Sequence, residues 1–131
     1  PNPAVHQKAA RDWCDWEIAI AKLHADDPPN PRYEDPRFRL GFARLVTHYW
    51  SHAAWLEDGC LLRDAHRLSG IPGILVHGRL DLGSPLSTAW HLAQCWPGSE
   101  LIAVDRAGHD ASHQAIAAHI VTATDRFAKR T

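Results

Sequence analysis

Asp81 and His109 are the two residues whose types and placing could do chemistry together. Asp81 lies just after the apolar run GILVHG (Gly73–Gly78), within VHGRLDLGSP, and His109 lies after a second run, LIAVD (Leu101–Asp105), within AGHD. In open parallel sheets, functional side chains gather beyond the carboxyl ends of the strands. The two residues are 28 positions apart, about one β-α-β unit, so neighbouring strands would put both on one rim. A carboxylate that accepts a hydrogen bond from an imidazole fixes its tautomer and stabilises the imidazolium. That imidazole can then take a proton from a nucleophilic hydroxyl. Two plainer readings stand beside this one. Asp81 could simply hold a turn through local backbone bonds, and Asp105, at the end of the second run, is a rival acid.

The elements that must position this pair can be read from the pattern. GILVHG is a continuous apolar run of strand length, as expected of a strand covered on both faces. Ser84 and Pro85 suit the cap and first turn of a helix with Ala89, Leu92, Ala93 and Trp96 inward. PGSE turns the chain into the second strand, and a last helix is expected from Ser112 to Lys129. This β-α-β-α order implies two parallel strands joined by a crossover helix. Upstream, helical spacing predicts one helix over Gln7–His24, carrying Trp13, Trp16, Ile20 and Leu23. A second is predicted over Pro36–Leu56, with Phe38, Phe42, Leu45, Tyr49 and Ala53, and Gly59 as a stop. Between them HADDPPNPRYEDP (His24–Pro36) reads as a loop. LLRDAHRL (Leu61–Leu68) reads as a short third helix closed by Gly70 and Pro72.

Composition narrows the function classes. The 131 residues are 45% hydrophobic and 22% charged with net charge −1, which describes a folded chain with no nucleic-acid footprint. No apolar run reaches the ~20 residues of a membrane helix. Cys14, Cys60 and Cys95 form no CxxC and give an odd count, so reduced thiols and a cytoplasmic setting are expected. His48 and His52, and His109 and His113, are each four apart, but neither pair belongs to H-E-x-x-H and no third ligand is placed, so no metal is assigned. Two parallel strands do not make a sheet that stands alone. With no methionine in the sequence and no further strands upstream, the expectation is a part of a longer chain. Its sheet would be completed by a missing N-terminal half or by a second copy.

The order Asp then His is that of the last two members of the Ser-Asp-His triad in α/β-hydrolases. None of Ser51, Ser69, Ser84, Ser87, Ser99 or Ser112 sits in a G-x-S-x-G turn, and no HGG-type oxyanion loop is present. From about Ala9 to Phe127 the chain resembles the C-terminal half of the proline iminopeptidases (prolyl aminopeptidases) of the α/β-hydrolase superfamily. The residues that carry the resemblance are DWCDWE (Asp12–Glu17), FARLVTHYW (Phe42–Trp50), IPGILVHGRLD (Ile71–Asp81), CWPGSEL (Cys95–Leu101) and AGH (Ala107–His109).

The resemblance implies an α/β fold, with residues 1–68 as a helical cap segment with connecting helices. Residues 69–131 would be the C-terminal β-α-β-α part of the hydrolase core. It implies catalytic roles for Asp81 and His109, with the nucleophilic serine outside this chain, so that the chain alone would be inactive. Glu17 matches a cap carboxylate that reads the substrate's free amino end, and Trp13, Trp16 and Trp50 could line the pocket. The substrate would be a peptide, or a small amide or ester, and no cofactor is implied. Where relatives commonly carry a second Glu, this chain has Val46, which favours a less charged substrate. The alternatives are therefore an esterase or lactonase with altered cap specificity, or a non-catalytic module that docks onto a partner through its sheet edge and tryptophan-rich helices.

Overall fold

Asn2 and Pro3 start the first helix earlier than the apolar spacing predicts. In the computed structural model, which describes residues 2–21 and 30–129, the Asn2 side chain accepts the Ala4 N–H at 3.0 Å and α1 runs Pro3–Ala21. An Asn cap followed by proline, which has no N–H to satisfy, is a strong helix start. The expected end at His24 and the first part of the proline-rich loop lie outside the described residues. The rest of that loop holds a short 3₁₀ turn, Pro31–Glu34, capped by Asn30.

Asp35 caps α2 (Pro36–Ser51), its carboxylate accepting the Arg37 N–H, with Pro36 in the first turn. α1 and α2 pack on each other through small side chains, with Ala10, Cys14 and Ala43 buried. Arg39 is also buried, and its Nη1 donates to the carbonyls of Tyr33 at 2.7 Å and Glu34 at 2.9 Å. The guanidinium thereby ties α2 to the turn before it. Phe38 stacks on Phe42 with centroids 5.6 Å apart, and Tyr33 meets both edge-on.

α2 stops five residues before the expected Leu56. The chain instead turns through Ala53, Ala54 and Trp55, with φ of 49°, 51° and 58°. Left-handed backbone ends a right-handed helix outright, and side chains with a Cβ resist it. A compact helical unit closes at Asp58 and a second unit begins at Gly59; the boundary that the resemblance implies lies later, after residue 68.

The second unit opens with Gly59, left-handed at φ 70°, as the start of α3 (Cys60–Asp64) rather than as the stop of α2. A 3₁₀ turn, Ala65–Leu68, follows. β1 (Gly73–Gly78), α4 (Leu86–Cys95), β2 (Ser99–Val104) and α5 (Gln114–Ala128) complete it. β1 and β2 are parallel, in register from Gly73 opposite Ser99 to Gly78 opposite Val104. Helices and a parallel pair in β-α-β-α order make this an α/β unit. α4 and α5 pack on both strands, and the core gathers Val104, Ala107 and Ile116 with Val76, Ile102 and Ala115 against it. Coverage is thinner than expected, because none of Ile74–His77 is fully buried. Among the described residues the sheet has two strands, which leaves one edge of each without a neighbour.

Three local expectations shift. β2 begins at Ser99 and ends before Asp105. Ser84 does not cap α4, whose boundary residue is Pro85 with no side-chain bond. α5 begins at Gln114, because Ser112 is tied back to Asp110 through its N–H and its hydroxyl, each at 2.8 Å.

Candidate functional site

The carboxyl ends of β1 and β2 are locked together by backbone. Arg79 N–H donates to the Val104 carbonyl at 3.0 Å and Leu80 N–H to that of Ala107 at 2.9 Å. Gly78 makes this approach possible. A Cβ there would lie 2.2 Å from the Gly108 carbonyl oxygen and 2.6 Å from that of Ala107, both backbone atoms that cannot swing aside. The loop carrying Asp81 and the loop carrying His109 are thus pressed against each other before either side chain is considered.

The side chains then meet. His109 Nδ1 lies 3.0 Å from Asp81 Oδ2 and 3.1 Å from Oδ1. A carboxylate only accepts, so Nδ1 carries the proton and Nε2 presents its lone pair. The Asp81 side chain is only 6% exposed whereas that of His109 is 50% exposed, so the acid is shielded and the base reaches solvent. Asp81 Oδ1 also accepts the Ser84 N–H at 2.8 Å. One carboxylate thus serves both the local turn and the imidazole. Gly83 passes beneath the imidazole, where an added Cβ would lie 3.3 Å from His109 Nδ1.

Asp105 has a different partner. It pairs with Arg79 Nε, its side chain 76% exposed, in a turn where Arg106 adopts φ 58°. The rival acid is a surface residue, as pairs of this kind usually are.

In the helical unit, the four residues singled out for substrate contact form one cluster. Trp13 and Trp16 have ring centroids 5.4 Å apart, Trp13 and Trp50 5.5 Å, and Trp16 and Trp50 6.3 Å. The two contacts to Trp50 are edge-on, the arrangement favoured by the ring quadrupole. Trp13 Nε1 donates to Glu17 Oε1 at 3.1 Å, which holds the carboxylate beside the indoles. Trp16 and Trp50 are exposed. Val46 is half-buried, one helical turn before Trp50 on α2.

Next to this cluster, an apolar groove of about 250 Å³ between α1 and α2 is lined by Trp13, Ala10, Leu40 and Ala43 among others. Burial pushes the Cys14 thiol up from its ordinary value, opposed by the Arg39 charge and reinforced by Asp15 and Glu17.

His109 and His113 precede α5 and share no helical face, and His52 Nδ1 donates to the His48 carbonyl at 2.8 Å. Among the described residues no three His, Cys, Asp or Glu side chains converge as ligands, and no helix is long and apolar enough to cross a membrane. The apolar look of GILVHG hid one participant. His77 lies beside Asp81, with Nε2 3.6 Å from Oδ2, and the signal for it was its spacing of four residues from that acid.

No protein-family model matches the chain. Curated proteins do. The chain is 49% identical to a "Probable proline iminopeptidase" of Streptomyces coelicolor, across 98% of this chain and 40% of that protein. It is 41% identical to a "Proline iminopeptidase" of Xanthomonas citri, across 97% of this chain and 41% of that protein. With the "Proline iminopeptidase" of Arabidopsis thaliana the identity is 34%, across 94% and 33%. The chain thus spans about 40% of the length of the first two of these relatives.

Proposed function

We propose that the chain, which is similar over nearly its whole length to part of the proline iminopeptidases, carries the acid–base part of a serine hydrolase site. The observation that supports this most directly is the His109 Nδ1 bond to the shielded Asp81 carboxylate at 3.0 Å. In the whole protein, a serine hydroxyl from residues outside this chain attacks the scissile carbonyl. His109 Nε2 takes its proton and returns it to the leaving amine, while Asp81 holds the ring and balances the imidazolium charge. Water then releases the acyl-enzyme by the same proton route in reverse.

The helical unit would belong to a cap over the site. Glu17 would accept the substrate's ammonium in a charge-assisted hydrogen bond, and Trp13, Trp16 and Trp50 would pack on its apolar ring. The substrate class that fits is a peptide or amide with a free, small, apolar N-terminal residue, proline above all. Val46 favours a second reading, an esterase or lactonase with weaker demand for the amine. Its half-buried side chain puts an aliphatic group one helical turn from Trp50, and no carboxylate. The lone strand edges and the exposed Trp50, Trp55 and Trp90 would be covered by the remainder of the protein.

The test is to assay the whole protein against a prolyl arylamide and an aryl ester, with and without His109→Ala. The reading expects the arylamide to be cleaved and both activities to vanish in the variant. Unchanged activity in His109→Ala would sink it, and preference for the ester would favour the second reading.

A further inference from the structure

His77 is a mostly buried imidazole at the penultimate position of β1, and the roles proposed above make no use of it. Its side chain is 16% exposed. Nε2 lies 2.7 Å from the Ser84 carbonyl oxygen, a group that only accepts, so the ring proton is on Nε2. Ser84 is therefore held by both of its backbone polar groups, with its N–H on Asp81 Oδ1 at 2.8 Å and its carbonyl on His77. The same Nε2 is 3.6 Å from Asp81 Oδ2. That is too long for a hydrogen bond.

These bonds close a circuit. The strand fixes His77, His77 fixes Ser84, and Ser84 fixes the carboxylate that His109 meets. The intervening segment is short, and it runs so close beneath the imidazole that a Cβ at Gly83 would lie 3.5 Å from both His109 Cγ and Asp81 Oδ1. Any outward movement of this loop swings Asp81 away from His109. From this geometry we infer that His77 is a positioning residue, a brace that holds the Asp81 loop in the place where its carboxylate can orient His109. The inference rests on reading Asp81 and His109 as the hydrolytic pair. His77 touches neither substrate nor the reacting atoms and acts through Ser84 and Asp81.

The experiment uses the whole protein with a prolyl arylamide as substrate. His77→Phe keeps the ring volume and removes the donor, and His77→Gln restores a donor that can reach the Ser84 carbonyl. His77→Phe is expected to lower kcat by up to about 100-fold, the scale of a small misplacement of a catalytic group, with KM little changed. The downfield proton resonance of His109 Nδ1–H should shift or broaden in the same variant. His77→Gln should recover most of the loss, which a merely space-filling role does not predict. A folded His77→Phe protein with full kcat and an unshifted resonance overturns the inference.

Should His77→Phe fail to fold, the 15N shifts of His77 in the unmodified protein decide. A proton on Nε2 supports the brace and a proton on Nδ1 overturns it. Asp81→Asn separates the two levels of the argument. Full activity in that variant would remove the pair itself, whereas its loss beside an unaffected His77→Phe would remove only the brace.

Discussion

Around Asp81 the neighbours are the Ser84 N–H, two imidazole nitrogens and the closely packed Gly83; Glu17 accepts from the Trp13 indole, which belongs to a cluster of three indoles on two helices. The contrast is one of constraint. In the β-α-β-α unit the position of each polar atom follows from strand register and from backbone bonds that bind one strand end to the next. Proton transfer needs that, since donor and acceptor must lie within hydrogen-bond reach. In the helical unit the cluster is made by side chains at helical spacing on α1 and α2, with Trp16 and Trp50 facing outward. Such a surface offers large, rigid contact area and one carboxylate, which suits recognition of an apolar group with a charged end. On the proposed reading, rigid backbone would define the reaction site and aromatic side chains the reading surface.

The contrast can be broken or sharpened by substitution. The largest effect on stability is expected at Gly78, where a Cβ would meet two backbone carbonyl oxygens. Gly78→Ala should destabilise the β-α-β-α unit by about 3 kcal/mol, the upper range for overpacking, measured by urea denaturation. A neutral result would mean that the strand-end loops are not pressed together. Trp50→Ala in the whole protein should raise KM for a prolyl arylamide by up to about tenfold and leave kcat nearly intact. That is the effect of losing one aromatic contact worth about 1 kcal/mol or slightly more. A fall in kcat alone would assign Trp50 to the reaction site and erase the distinction.

Ala53→Gly should stabilise the helical unit by about 1 kcal/mol, because φ of 49° strains alanine and not glycine. Thermal melts of the variant would check it, and destabilisation would contradict the left-handed turn. The smallest effect is on thiol chemistry. Cys14 is buried with its thiol pushed up, while Cys60 and Cys95 are partly exposed. At neutral pH, Cys14 should react with a maleimide more slowly than the other two, since it is buried and its thiol is pushed up from its ordinary value. Equal rates would show that α1 and α2 pack loosely.

The sequence was informative where backbone periodicity carries the chemistry. Two apolar runs, each followed by a polar residue, sufficed to bring Asp81 and His109 to one rim, because a parallel register leaves little choice of where strand ends lie. The tryptophans at helical spacing likewise fall together, since Trp13, Trp16 and Glu17 share one stretch of α1. What the pattern did not reveal has local physical causes. The start of α1 depends on a cap and a proline, Asn2 and Pro3, that precede any apolar period. Ser84 looked like a helix cap, but its N–H and carbonyl are committed to Asp81 and His77. The left-handed turn at Ala53, Ala54 and Trp55 has no glycine to announce it. His77 escaped notice because a half-buried strand face accepts an imidazole as readily as an aliphatic side chain.

The most direct test compares two aspartates at the ends of the two strands. Asp81 is shielded and bound to His109; Asp105 is exposed and bound to Arg79. In the whole protein, with a prolyl arylamide as substrate, Asp81→Asn should lower kcat by on the order of 10⁴, the cost of losing the carboxylate that fixes the histidine tautomer. Asp105→Asn should leave kcat where it was. A severe loss in Asp105→Asn, or full activity in Asp81→Asn, would contradict the account.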